Sequence, residues 1–119
     1  VLQGALKAQL RFHVMKQNGT ERPFTGEYDK HFESGIYNCA DCGISLFDSN
    51  SKFDSGCGWP AFSEEIEDAN IEQLIDTSHG MKRIEVRCSN CDSHLGHLFH
   101  EARGPRYCIN SICLDFQGE

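Results

Sequence analysis

Four of the seven cysteines fall into two Cys-x2-Cys pairs, Cys39/Cys42 and Cys88/Cys91. Each pair offers two thiolates from one tight turn, and two such pairs complete a tetrahedral shell around Zn2+ with no position left for a substrate. The spacing therefore predicts one structural zinc ion per chain. Two dithiol redox motifs, or four unrelated buried thiols, would leave the duplicated spacing unexplained. Because 45 residues separate Cys42 from Cys88, the metal is expected to clamp distant segments of a sheet rather than to form the whole fold.

The other three cysteines, Cys57, Cys108 and Cys113, need a different account. Around Cys108 the chain reads as a strand, and side chains two apart on a strand share a face, so Arg106, Cys108 and Asn110 project together. A guanidinium beside a thiol favours the thiolate, and an amide can donate a further hydrogen bond to it. Upstream, His94-Leu95-Gly96-His97 sets two imidazoles three residues apart, groups able to protonate a leaving oxygen. A buried core thiol flanked by structural histidines is the competing reading of the same residues.

The elements that must position these groups are mostly strands. Leu2, Leu6, Leu10 and Val14 recur every four residues and predict a short helix over 1–17, followed by turn and loop over 18–26. From Gly35 the pattern turns to β. Ile36-Tyr37 lead into the first cysteine pair, Leu46-Phe47 follow it, and Ser55 to Pro60 is a Gly/Pro loop. Residues 66–75 fit neither a helix nor a strand template, and His79-Gly80 reads as a turn. Ile84, Val86 and Cys88 then alternate with Arg83, Glu85 and Arg87 as in a half-buried strand. Arg106 to Phe116 reads as one continuous strand, with Tyr107, Ile109, Ser111, Cys113 and Asp115 on the face opposite Cys108.

A length of 119 residues predicts one domain over 1–119, small enough for a metal staple to matter. Eighteen acidic against eleven basic residues give a net charge of −7, which argues against a nucleic-acid partner. The longest apolar runs are a few residues, so no membrane span is expected. An odd cysteine count argues against a secreted disulfide framework. A cytoplasmic monomer is expected, or an organellar one if a leader was removed before Val1.

Gly56-Cys57-Gly58-Trp59-Pro60-Ala61-Phe62, Ser78-His79-Gly80-Met81, His94-Leu95-Gly96-His97 and Arg106-Tyr107-Cys108-Ile109-Asn110-Ser111 occur in this order around the two cysteine pairs. Together with Thr20-Glu21-Arg22-Pro23-Phe24-Thr25-Gly26, they resemble the B-type methionine sulfoxide reductases, over about Asn18 to Phe116. The resemblance implies a mainly β fold of two small antiparallel sheets, sandwich- or barrel-like, with short N-terminal helices and a structural zinc. It further implies thiol-dependent reduction of methionine (R)-sulfoxide in proteins or peptides.

By that resemblance Cys108 is the nucleophile, which would become a sulfenic acid, and His94 and His97 are active-site histidines. Arg106 and Asn110 shape the thiolate's surroundings, and Trp59 forms an apolar slot for the substrate methyl group. Cys57 stands at the recycling position, condensing with Cys108 to a disulfide that a thioredoxin-like dithiol would reduce. Cys113, five residues along the expected strand, would lie roughly 17 Å from Cys108 on the opposite face, at about 3.4 Å per residue, and is left without a role. Leu98 to Pro105 is shorter than the family's usual stretch, so no role is assigned to His100 or Glu101. The rival reading from another class is a non-catalytic zinc-ribbon-like module that binds a protein partner.

Overall fold

In a computed structural model that describes residues 4–67 and 69–119, with the side chain of His79 also outside the description, Gly4–Gln17 form helix α1. Only its C-terminal end is tightly packed. Val14 and Met15 are buried and Leu10 is half-buried, whereas Leu6 is 53% exposed, so the expected four-residue stripe meets the core at one end only. Leu2 lies outside the described residues. Among the described residues there is one α-helix in the N-terminal region rather than several.

Nine strands follow among the described residues. Gly35–Cys39 (β1) is the centre of a three-stranded antiparallel sheet, flanked by Ser45–Asp48 (β2) and Leu114–Gly118 (β9). The second sheet has six strands, in the order Lys52–Phe53 (β3), Ala61–Phe62 (β4), Gly104–Ile109 (β8), His94–Glu101 (β7), Arg83–Cys88 (β6) and Ile71–Asp76 (β5). All of its pairings are antiparallel. The aromatic core joins the two sheets: Phe47 of β2 stacks on Phe62 of β4 with ring centroids 4.3 Å apart, and Tyr37 of β1 meets Phe62 edge-on. These three rings are fully buried. Large flat side chains on half-buried strands are what such a two-layer packing needs.

The main departure from the expected strands lies after Ile109. The chain leaves the six-stranded sheet, makes a 3-10 turn at Ser111–Cys113, and enters the three-stranded sheet as β9. Arg106 to Phe116 is thus two strands in two sheets, and strand parity stops at Ile109. Cys113 is fully buried in that turn, with its thiol donating to the His94 carbonyl at 3.3 Å. In the ambiguous stretch Ile66, Glu67, Ala69 and Asn70 lie in no helix or strand, and β5 then forms an edge strand that exposes Leu74 and Ile75. The shortened stretch before Arg106 is a hairpin in which Glu101 pairs with Gly104, leaving Ala102-Arg103 as its two-residue tip. Gly104 takes a φ of 122°, which a side chain would resist.

Candidate active site

β8 carries Cys108 at the middle of the six-stranded sheet, where it pairs with His97 of β7 on one side and Ala61 of β4 on the other. Directly paired residues point to the same face, so the imidazole and the thiol stand side by side. Gly96 makes this approach feasible, because a Cβ there would overlap the Cys108 carbonyl oxygen and come within 2.9 Å of Ile109 Cα. A cleft of about 240 Å³ opens over this row, walled by Thr20, Cys57, Trp59, Arg83, Gly96, His97, Phe99, Arg106, Cys108 and Asn110. A larger groove of about 690 Å³ lies between α1 and the 21–28 loop. It carries neither thiol nor imidazole, so chemistry rather than volume singles out the smaller cleft.

The Gly-rich loop bends Cys57 over this row, with Gly56 and Gly58 both at positive φ. Its sulfur lies 3.4 Å from that of Cys108 and accepts from the Ser55 hydroxyl at 2.9 Å. The contact with Cys108, the hydroxyl and the positive charge of Arg106 draw the Cys57 thiol down to about 5, against the opposing effect of burial. Cys108 moves the other way. The neighbouring Cys57 and then burial push it far above the ordinary thiol range, although Arg106 pulls it down. Two sulfurs in contact hold one negative charge between them. The expected effect of Arg106 therefore falls on a pair of thiols rather than on Cys108 alone, favouring negative charge on both sulfurs.

Arg106 is fixed from two sides. Its guanidinium lies over the Phe99 ring, 4.6 Å from the centroid, and donates to Glu101 Oε2 at 3.1 Å. His97 is held by Asp76 at the end of β5, with Nε2 2.8 Å from Oδ2. Asp76 also accepts from the backbone N–H and hydroxyl of Ser78, and these bonds with His97 hold its carboxyl well below the usual range. His94 sits differently. It is 2% exposed and outside the cleft wall, Nδ1 lies 2.7 Å from Glu85 Oε2, and Nε2 has no hydrogen-bond partner among the described residues. Burial lowers its pKa more than Glu85 raises it, favouring the neutral ring.

Trp59 and Asn110 both line the cleft. The Asn110 amide, expected to point at the thiolate, donates instead to the Leu95 carbonyl at 2.9 Å. The Trp59 indole N–H donates to the Glu21 carbonyl at 3.1 Å. Reasoning from the sequence passed over Glu21, Asp76, Glu85 and Phe99. The two carboxylates that hold the histidines lie across strand pairs, a relationship that adjacent-residue patterns do not carry. Phe99, two residues beyond His97 on β7, was within reach of the alternation rule.

The four paired cysteines converge on one point, their sulfurs all within 4.8 Å of one another. Cys39 and Cys91 sulfurs are 3.7 Å apart, and those of Cys42 and Cys88 are 3.6 Å apart. A tetrahedron with Zn–S of about 2.3 Å has edges of about 3.8 Å, so the donor set fits zinc. The two turns are built alike: Gly43 N–H donates to the Cys39 carbonyl and Asp92 N–H to the Cys88 carbonyl. Both residues take positive φ, 83° and 59°. Since Cys39 ends β1 and Cys88 ends β6, the cluster joins the two sheets.

The family model described as the SelR domain matches residues 7–118. The "Peptide methionine sulfoxide reductase MsrB" of Chromohalobacter salexigens is 56% identical over 110 residues, covering 89% of this chain and 83% of that protein. The protein of the same name from Pseudomonas putida is 54% identical, over 90% of this chain and 83% of its own length. A "Probable methionine-R-sulfoxide reductase B" of Caenorhabditis elegans is 54% identical, covering 89% and 73%. With the family match running across both sheets, the paired thiols and the four-cysteine cluster, this chain belongs to the SelR family.

Proposed function

We propose that this protein reduces the R epimer of methionine sulfoxide in peptides and proteins, with Cys108 as nucleophile and Cys57 as the thiol that resolves it. The observation that carries the reading is the 3.4 Å contact between two sulfurs from distant segments, inside a cleft walled by Trp59, His97 and Arg106. The names of the relatives support the reaction and its stereochemistry.

The steps balance as follows. The Cys57 thiolate accepts the Cys108 proton as Cys108 sulfur attacks the sulfoxide sulfur. The sulfoxide oxygen, protonated from His97, passes to Cys108 as a sulfenic acid and methionine leaves, so two electrons move from cysteine to methionine sulfur. Cys57 then attacks the sulfenic sulfur, releasing water and closing a Cys57–Cys108 disulfide. A thioredoxin-like dithiol returns both thiols by exchange. Trp59 and Phe99 offer apolar faces to the methyl group, and Arg106 stabilises negative charge on either sulfur. His94, neutral and buried, supports the sheet beneath His97 rather than reaching substrate.

Cys39, Cys42, Cys88 and Cys91 hold one structural zinc ion, whose charge offsets that of the thiolates and cross-links the sheets. The chain acts as one domain and as a monomer, in a reducing, cytoplasm-like compartment that keeps the ligands as thiols. No helix among the described residues is long and apolar enough to cross a membrane. A non-catalytic binding module would not account for the paired sulfurs beside Arg106. An epimer-resolved assay with a methionine sulfoxide peptide tests the reading. Cys108→Ser is expected to lose turnover of the R epimer while keeping zinc, and Cys57→Ser to complete one turnover but not cycle with a dithiol. Unchanged activity in Cys108→Ser would overturn it.

A further inference from the structure

Glu21 is 3% exposed, yet its carboxylate is held by backbone N–H groups rather than by a cation. One oxygen accepts from Ser111 N–H at 2.8 Å and the other from Ile112 N–H at 2.9 Å. The main chain of the same residue is engaged as well. Its N–H donates to Asn110 Oδ1 at 3.0 Å, and its carbonyl accepts from the Trp59 indole at 3.1 Å. From these four bonds we infer that Glu21 is a positioning residue that sets the width of the substrate slot by tying Trp59 on one wall to Asn110 on another. The inference rests on the reading of the cleft given above.

The four bonds attach the 20–26 segment, which belongs to no strand, to both the Trp59 loop and the 110–112 turn, which otherwise meet where Ile109 N–H donates to the Pro60 carbonyl at 2.9 Å. The Trp59 loop has no regular structure and contains two glycines at positive φ. Besides the indole bond, it is tied to the 20–26 segment by Phe24 N–H donating to the Gly58 carbonyl at 2.7 Å. A carboxylate holding two N–H groups away from water makes charge-assisted bonds that are costly to break. Burial raises its pKa by more than the two N–H bonds lower it, and those bonds favour the carboxylate because a neutral carboxyl could not accept as well at both oxygens. Displacing a wall of the slot by about 1 Å is enough to cost up to about 10²-fold in rate.

Trp59 is the only tryptophan, so its fluorescence reports this wall directly. In Glu21→Gln the amide NH2 would face one of the two backbone N–H groups. The expected result is a red-shifted Trp59 emission, greater acrylamide quenching, and a KM for an R-sulfoxide peptide raised about tenfold with kcat changed far less. Leu46→Val, a core change on β2, controls for loss of stability and should leave emission and KM unaltered at an equal fall in thermal midpoint. If Glu21→Gln does not yield folded protein, Glu21→Asp, which keeps the charge but shortens the reach, is expected to move the same readouts in the same direction. A folded Glu21 variant with lower midpoint but unchanged emission, quenching and KM would overturn the inference. Absence of R-sulfoxide reduction in the wild type would instead overturn the functional reading, with emission and quenching still deciding the role of Glu21.

Discussion

The sulfurs of Cys57 and Cys108 lie 3.4 Å apart although the two residues stand 51 positions apart in the chain. One comes from a glycine-flanked loop and the other from the middle of a sheet. Closing the proposed disulfide would need the two sulfurs to move from contact to a bonded distance of about 2 Å.

The charge of the pair is open to titration. With Cys57 drawn down to about 5, its alkylation by iodoacetamide should rise through about pH 5 and level off well below pH 9, because the thiolate is the reactive form. Cys108 should stay unmodified at neutral pH. In Cys57→Ser the neighbour that raises Cys108 is gone, and Cys108 should become alkylated at lower pH than in the wild type. Mass spectrometry of peptides labelled across pH checks both; a Cys57 midpoint near 9 would contradict the assignment.

Asp76→Asn should lower kcat by about 10²-fold, the low end of what a positioned proton donor contributes, because His97 stays in place but loses its orienting partner. The carboxylate is held low by Ser78 and His97, so it remains ionised across the working range and orients the imidazole throughout. Alkylation of Cys57 should be unaffected, which separates loss of His97 orientation from damage to the thiol pair. Steady-state kinetics beside the labelling experiment distinguish the two.

Gly96→Ala should be among the most damaging single-methyl additions in the protein. The added carbon would meet the β8 backbone at Cys108 and Ile109, and backbone within a paired sheet cannot step aside without shifting the strand. A loss of about 3 kcal/mol is expected, seen as a fall of about 10 °C in thermal midpoint. Activity per folded molecule should fall too, since the Cys108–His97 pair is what moves.

Metal analysis should find one zinc per chain. Chelation, or Cys88→Ser, should unfold the protein rather than merely inactivate it, since structural zinc sites contribute about 10–16 kcal/mol in small peptides and whole domains are stable by about 5–15. Circular dichroism during chelator titration tests this. Folded, metal-free protein would refute a structural role.

The cysteine pairs were legible because each turn is local: two residues between ligands and a positive-φ residue after the second suffice to build it. The Arg106/Cys108 face was legible as well, since alternation holds up to Ile109. Alternation then failed at Asn110, where the chain changes sheets, and nothing in the apolar pattern of Ile112 and Leu114 marks a 3-10 turn. The argument that set Cys113 apart by distance along a strand therefore does not apply, and burial against the His94 carbonyl is what isolates it. That the two thiols influence each other's charge was beyond reach for another reason, because it depends on a loop and a strand meeting in space. Asp76 and Glu85 were hidden in the same way, as partners across strands rather than neighbours in the chain.

The three-stranded sheet has its middle strand at residues 35–39 and its last strand at 114–118. A chain emerging from the ribosome must therefore carry β1 with one edge unpaired, and Cys39 and Cys42 without their counterparts, while some fifty to eighty further residues are made. Contacts of such long sequence separation form slowly, and unpaired edges are open to association in the interval. During biosynthesis the first cysteine turn is thus a half-site awaiting residues 88–91, and metal delivered before that point would find only two of its four ligands.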